Sequence, residues 1–346
     1  MTLKFQLAIN LERLDHTHTM EEIRDHTLDL VKMADDGGFT IAWAAEHHAL
    51  EMTIAPNPFQ ILTWWATHTE RIRLGSAVAV AAYWHPINLA GEAAFLDLVS
   101  NGRLDFGIGS GAYQREFDRM HPGLKQTDAW RYMNEMLPCV RNLWAGDYAH
   151  DGQLWQFPTS TSVPKPVQDQ VPVWVAARSP ITFDYAVEQG CHLMSWPIAR
   201  PNREMEVYKE RFDSALAKFP DADRPTWAMM RHTAVYANAD DWEVPARAAQ
   251  RQLGMFGNLM TYSGEVVEGI PDEQDAAVLN DHVDYNLPSL RENLMFGTPE
   301  QVIEKLKAYE ALGIDEFIYY ASMGLGLKEQ RRSMELFCSE VIPAFG

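Results

Sequence analysis

Apolar and polar positions along this chain change period at regular intervals. Lys4–Asn10 alternates with the two-residue period of a strand. Thr19–Gly37 then places Ile23, Leu28, Val31 and Ala34 on one helical face. Thr19 opens it with Glu22 three residues on, the spacing of a capping box, and Gly37-Gly38 stops it. Phe39–Glu46 reads as a strand, Pro56–Thr69 as a helix, Arg71–Val80 as a strand, Pro86–Ser100 as a helix and Arg103–Gly109 as a strand. Thr127–Trp144 is a long helix, followed to Val171 by a stretch rich in Pro, Thr and Ser. Strand Val171–Ala177, helix Pro180–Gln189, strand Cys191–Trp196, helix Asn202–Lys218, strand Thr226–Ala237 and a helix from Asp240 continue the rhythm. Residues 264–292 lack a period and read as an inserted loop. Helix Thr298–Leu312, with Thr298 as cap and Pro299 in first position, strand Ile314–Tyr320 and helix Lys328–Ile342 close the chain.

Eight strand–helix units are the count of a (β/α)8 TIM barrel, and alternation at this pace signals a parallel sheet. Such barrels take ~250 residues, so the 346 residues leave ample length for insertions. The expected organisation is one barrel domain over 1–346 carrying an inserted loop, a candidate lid, at about 264–292. A doubly wound open sheet is the alternative.

Composition narrows the function classes. With 29 basic and 48 acidic residues the formal net charge is -19. This disfavours nucleic acid, whose phosphates need clustered Lys and Arg, but leaves room for a local anion site. Cys139, Cys191 and Cys338 are too few and too scattered for a disulfide framework or a CxxC metal pattern. No apolar run approaches the ~20 residues of a membrane helix, and the N-terminus lacks the apolar core of a signal peptide. A cytoplasmic protein is expected.

Candidate chemistry gathers at strand ends. Trp43-Ala44-Ala45-Glu46-His47-His48 is an apolar strand running into an acid and two histidines. Successive side chains there face opposite ways, so one histidine faces the barrel mouth. Histidine titrates near neutrality and moves protons; the plainer alternative is an imidazole capping the strand end. Nothing pairs with the two histidines as a third metal ligand. Small residues at Gly75-Ser76-Ala77-Val78 would admit a flat ring or simply tight packing. Gly107-Ile108-Gly109-Ser110-Gly111 lacks the GxGxxG order and a helix directly behind it, so no Rossmann site is assigned. Arg178-Ser179-Pro180-Ile181-Thr182 follows a strand and offers an N-cap serine, a first-turn proline, free amides and a guanidinium to an anion. An ordinary capped helix is the alternative. Tyr83, Trp84, Tyr113 and Trp196 are candidate walls for an aromatic pocket. Ala90-Gly91-Glu92-Ala93-Ala94 would let a helix approach a partner or another part of the chain closely.

These blocks together resemble the luciferase-like flavin monooxygenase family over essentially the whole chain. Trp43–His48, Asn57-Pro58, Arg73–Val80, His85-Pro86, Gly102–Phe117, Val173–Thr182, Ser195-Trp196 and Gly297-Thr298-Pro299-Glu300 carry the resemblance. It implies that His47 is the catalytic histidine beside the flavin ring and that Ala77-Val78 holds a non-proline cis peptide against that ring. It further implies that Glu46, Gly109, Tyr113, Ser195 and Trp196 border the ring, and that Arg178, Ser179 and Thr182 hold the FMN phosphate. Gly109 stands where bacterial luciferase has a reactive cysteine, and Ser110 where it has a phosphate-binding arginine. Arg178 replaces an acidic residue and would supply the missing charge.

The implied chemistry is oxygenation of a small organic substrate by FMNH2 and O2 through a C4a-(hydro)peroxyflavin. No NAD(P)H site is recognisable, so a separate NAD(P)H:flavin reductase would deliver FMNH2. The aromatic pocket suggests a neutral aldehyde, ketone or heteroaromatic ring. A homodimer through the helices after the second and third strands is implied as well. The rivals are an F420-dependent oxidoreductase on the same barrel, a non-catalytic flavin-binding protein, and a metal-dependent hydrolase barrel.

Overall fold

The computed structural model describes residues 2–346. Eight parallel strands close on themselves: β1 (Lys4–Ala8), β2 (Ile41–Ala44), β3 (Arg73–Ser76), β4 (Leu104–Gly109), β5 (Val173–Ala176), β6 (His192–Ser195), β7 (Trp227–Val235) and β8 (Glu316–Tyr320). Each pairs with its successor, and β8 returns to β1 in the register Lys4↔Glu316 through Ala8↔Tyr320. Among the known solutions for alternating strands and helices this is the TIM barrel; the open sheet is set aside because β1 has neighbours on both sides.

Local sequence accounts for the helices between strands. Thr19 caps helix Met20–Gly37 with the reciprocal Glu22 bond, and Gly38 ends it at φ 93°, a left-handed conformation that glycine takes without penalty. Asn57 caps Pro58–Ala66, and His85 caps Pro86–Val99, each with proline in the first turn. These helices bury one face against the outside of the barrel, where most of the apolar core lies.

The barrel floor is a polar-tipped aromatic plug. Trp43 and Trp174 meet edge to face at 5.4 Å. Their indole N–H groups donate to Gln6 Oε1 at 2.7 Å and Asp105 Oδ1 at 2.8 Å. Gly75 is glycine for a packing reason, since a Cβ there would stand 2.1 Å from the Trp43 ring. Replacing Trp43 by alanine would cost about 3–5 kcal/mol. The plug closes the bottom and leaves the C-terminal end open for a site.

The structure departs from the sequence reading in five places. The third strand does not run unbroken to Val80; it stops at Ser76 and resumes at Ala79–Val80 beyond a cis Ala77–Val78 peptide. A short helix, Gln114–Met120, does follow the glycine-rich end of β4. The Pro/Thr/Ser-rich stretch contains an antiparallel hairpin, Tyr148–Asp151 with Gln156–Ser160. The segment 264–292 is structured, with a small hairpin (Val266–Val267, Ile270–Pro271) and helix Ala276–Asp281, and Leu287–Asn293 begins within it. Just beyond, Met295–Gly297 adds a strand to the upper half of β7, pairing with Thr233–Val235 above the part that β8 occupies.

Cys139 and Cys191 are buried and Cys338 is half-buried; all three are free thiols. Burial pushes each thiol up to about 11. Among the described residues no helix is long and apolar enough to cross a membrane.

Candidate active site

β2 delivers Glu46 and His47 to the open end of the barrel. Glu46 is buried and fully engaged. It accepts the Val80 amide at 2.7 Å, the Trp84 indole N–H at 2.9 and 3.1 Å, and faces His48 Nε2 at 2.8 Å. One carboxylate thereby fixes the chain beyond the cis peptide, an aromatic side chain and the second histidine. Trp84 and Tyr83, expected in the pocket wall, stand behind it: Trp84 serves Glu46, and Tyr83 packs on the His48 ring at 5.4 Å.

His47 takes the other direction, into the cavity. Its Nδ1 lies 3.1 Å from Glu116 Oε2, and the second oxygen of Glu116 accepts the His48 amide at 2.6 Å. Glu116 comes from helix Gln114–Met120, the one absent from the sequence reading. Burial pushes the His47 pKa down, but the Glu116 charge and hydrogen bond, helped by Glu46, more than offset it, and the net direction is upward. With Nδ1 committed, Nε2 is the nitrogen free to meet a ligand. Tyr113 flanks the ring at 5.4 Å.

The cavity above the plug has a volume of about 450 Å³, within the roughly 300–1,000 Å³ of ordinary ligand sites. Glu46, His47, Ala77, Val78, Gly109, Tyr113, Arg178, Thr182, Ser195 and Trp196 all border it. Gly109 is required by close approach: a Cβ there would stand 2.5 Å from Val78 Cγ2. Ser195 Oγ donates to the Ala177 carbonyl at 2.8 Å and accepts the Trp227 indole at 3.1 Å, so this hydroxyl ties β6 to the end of β5.

At the other end of the cavity stand Arg178 and Thr182; Ser179, expected with them, falls just outside the lining and caps helix Pro180–Glu188 reciprocally with Thr182. Fewer amides are free here than the sequence suggests. Arg178 and Ser179 N–H already donate to Thr182 Oγ1 at 3.0 and 3.1 Å, and Pro180 has none. The Thr182 O–H in turn donates to the Ser179 carbonyl at 2.8 Å, so what remains for an anion is the Ile181 amide, the Ser179 hydroxyl, the helix dipole and the Arg178 guanidinium. Arg211, which the sequence reading missed, donates to the Arg178 carbonyl and holds this turn in place. Arg115 is spent elsewhere: its guanidinium donates to the Ser263 and Gly264 carbonyls and lies 4.4 Å over the Tyr262 ring.

The segment 264–292 contributes no side chain to the cavity but packs beside its mouth. Glu51 N–H donates to Gly269 O at 2.8 Å, and Val266 rests on the cluster of Leu50, Met52, Tyr113, Phe256 and Leu259. The wall opposite His47 is formed by Trp196 and Tyr320, with the fully buried His232 behind them at 5.6 and 4.7 Å between ring centroids.

Comparison with known proteins agrees with this architecture. A family model described as luciferase-like monooxygenase matches residues 3–316. The oxygenase component of a flavin-dependent trigonelline monooxygenase from Acinetobacter baylyi is 40% identical over 348 residues, covering 99% of this chain and 96% of that one. Among solved structures, monooxygenase RslO1 from Streptomyces bottropensis superposes with a TM-score of 0.82 at 22% identity, over 99% of this chain and 100% of the other. The oxygenating constituent of 3,6-diketocamphane monooxygenase from Pseudomonas putida, solved in complex with FMN, gives a TM-score of 0.74 at 19% identity over 99% of each.

Proposed function

This chain belongs to the luciferase-like monooxygenase family, and on that premise we propose that it is the oxygenase component of a two-component system, using FMNH2 and O2 to oxygenate a small organic substrate. The observation that carries the reading is one cavity with a carboxylate-backed histidine, His47, at one side and a cationic capped helix start, Arg178–Thr182, at another. The relative from Acinetobacter is named for trigonelline, an N-methylated pyridine carboxylate, which supports a small heteroaromatic substrate over a long-chain aldehyde. A separate flavin reductase follows from the term oxygenase component in that relative's name.

The residues present fit a flavin. Gly109 leaves clearance beside Val78 that a Cβ would fill, and the anion-binding turn lies on the same cavity as the histidine. Reduced FMN, when bound, supplies the two electrons by which one atom of dioxygen enters the substrate and the other leaves as water. Arg178, Ser179 and Thr182 hold the phosphate. Ala77, Val78 and Gly109 present a flat backbone surface to the ring, and Tyr113 and Trp196 border it. His47, anchored at Nδ1 by Glu116, presents Nε2 to the cavity, where it takes up a proton from the reacting molecules and returns it. The apolar walls, among them Met194, Met230 and Phe256, exclude water from that exchange.

The insertion 264–292, docked beside the mouth, is the segment we assign as a lid. Phe95 and Leu98 on helix Pro86–Val99, together with Val163 and Val167 alongside it, are exposed at 51%, 45%, 81% and 51% and support a homodimer through this face. The Ala90–Ala94 patch is used within the chain: Trp144 Nε1 donates to the Ala90 carbonyl at 2.9 Å, and Ala93 and Ala94 are buried. Three unpaired thiols suit a cytoplasmic location.

Stopped-flow mixing of the chain with FMNH2 and then oxygen tests the reading. Flavin oxidation slower than for free FMNH2, with oxygenated product from trigonelline or a related pyridinium, is the expected result. Oxidation at the free rate with tight binding of a deazaflavin instead would replace it by the F420-dependent alternative.

A further inference from the structure

Four polar atoms behind the cavity wall are buried without hydrogen-bond partners: Trp196 Nε1, both ring nitrogens of His232, and Gln252 Oε1. They are neighbours. His232 shares its face of β7 with Met230, which lines the cavity, because alternate strand residues point the same way. Its ring is covered by Trp196 on the cavity side. Gln252, from helix Glu243–Thr261, sits beside His232 close enough to favour its protonated form, though not in bonding geometry. On its far side Gln252 Nε2 donates to Glu12 Oε1 at 3.1 Å, and the other Glu12 oxygen accepts the Gly324 amide at 2.9 Å.

The bonding capacities of these four groups fit in one order. An indole only donates, a neutral imidazole accepts at one nitrogen and donates from the other, an amide accepts at oxygen and donates at nitrogen, and a carboxylate only accepts. Gln252 is already joined to Glu12; reorientation of the two rings would join Trp196 to His232 and His232 to Gln252, using every orphaned atom. Burial, reinforced by the Arg231 charge, pulls the His232 imidazole down to about 3, so it is neutral as the order demands.

Glu12 ends the series at a second, smaller cavity of about 210 Å³, lined also by Arg13, Asp15, His18, His26 and Arg251. Asn10 borders both cavities. We propose that Glu12, Gln252 and His232 are positioning residues, a directional polar series that sets the indole of Trp196 against the active cavity and is read from the second cavity through Glu12.

Ionised Glu12 offers one acceptor oxygen to the Gly324 amide and the other to Gln252; protonation turns one of them into an O–H donor, so with the carbonyl oxygen kept by the Gly324 amide the series loses its charged acceptor and releases Trp196. Burial, against the Gly324 amide, Gln252 and the Arg251 charge, pushes the Glu12 carboxyl up to about 7. The other charged groups around it are largely paired among themselves: Arg13 with Glu51, and Arg251 with Asp15 and Glu273. His18 lies 3.7 Å from Glu22, and His26 bonds Gln330 at 2.8 Å.

The test labels the full chain with 5-fluorotryptophan, assigns Trp196 in the 19F spectrum by its loss in Trp196→Phe, and titrates from about pH 5.5 to about 8.5. The Trp196 resonance is expected to move with a midpoint of about 7. Glu12→Gln, near-isosteric, should hold it at the acid position at every pH. Gln252→Met should abolish the step while leaving Glu12 ionisable. A Trp196 resonance indifferent to pH, or a step that survives Glu12→Gln, overturns the proposal. The spectrum is read without flavin, so failure of the oxygenase reading shows separately, as absence of FMN binding.

Discussion

The two walls of the cavity are built on opposite principles. On the β2 side, Glu46, His48 and Glu116 spend their polar atoms on one another, on the Val80 and His48 amides and on Trp84, and His47 is fixed at Nδ1; a buried orphan on that side, the Tyr83 hydroxyl, lies behind His48 and off the cavity. On the β7 side, Trp196, His232 and Gln252 keep four polar atoms unpaired. Buried polar groups are almost always satisfied, because each orphan costs about 1–3 kcal/mol. A saturated wall is rigid and presents one nitrogen in one place, which suits proton exchange. An unsaturated wall keeps alternative pairings in reserve, which suits adjustment. The comparison teaches that fixed and adjustable polar groups are segregated to different strands of the same barrel.

The strongest blow to the rigid wall is His47→Ala. Flavin affinity should stay within a few-fold while turnover falls by about 10²–10⁴, measured as product formed per FMNH2 supplied. Unchanged turnover would remove His47 from its role. Glu116→Gln leaves the imidazole present but takes away its charged partner. Turnover is expected to drop on the order of tenfold, since hydrogen bonds to charged groups contribute about 1.5–3 kcal/mol, and the His47 pKa seen by NMR should fall. A pH–rate profile identical to wild type would show that the carboxylate is only structural.

The anion end offers a control within one chain. Arg178→Ala should weaken FMN binding about tenfold or more, whereas Arg115→Ala, whose guanidinium serves the Ser263 and Gly264 carbonyls, should change it little. Equal losses in a binding titration would refute the assignment of Arg178 to the phosphate.

The smallest expected effect is on stability. Because the folded-state pKa of His47 is raised, its contribution is fully present below the unfolded value of about 6.5. It is lost as pH rises through the folded value. The Tm difference between wild type and Glu116→Gln should therefore be widest in mild acid and narrow toward alkaline pH. A difference that widens with pH would reverse the sign of the argument.

Long periodic elements were legible in the sequence. All eight barrel strands, the capping box at Thr19 and the capped start at Ser179-Pro180 follow from spacing, and the positions of His47, Val78 and Trp196 on one cavity follow from the resemblance. What escaped was short. Helix Gln114–Met120 has seven residues, under two turns, too few to display a helical period, and with it went Glu116, the partner that defines His47. A Glu three residues after Tyr113 at the start of that helix was the only available signal. The hairpin at Tyr148–Ser160 and the strand Met295–Gly297 take their order from pairing with distant segments, which no local pattern records. Tyr83 and Trp84 stand off the cavity wall expected of them, because a strand-end aromatic faces either a pocket or a carboxylate behind it. Only the fold shows that Glu46 turned that way.

The three free thiols acquire a meaning from the chemistry next door. A catalyst that brings reduced flavin and oxygen together leaks hydrogen peroxide whenever a turnover miscarries, and the molecule nearest the leak is the catalyst itself. Peroxide attacks thiolates far faster than thiols. With Cys139, Cys191 and Cys338 all pushed up to about 11, only about one sulfur in ten thousand is ionised at neutral pH. The same withholding of thiolate that leaves Gly109 at the cavity wall makes the cysteines of this chain poor targets for its own by-product, and leaves the methionines that line the cavity as the sulfur exposed to it.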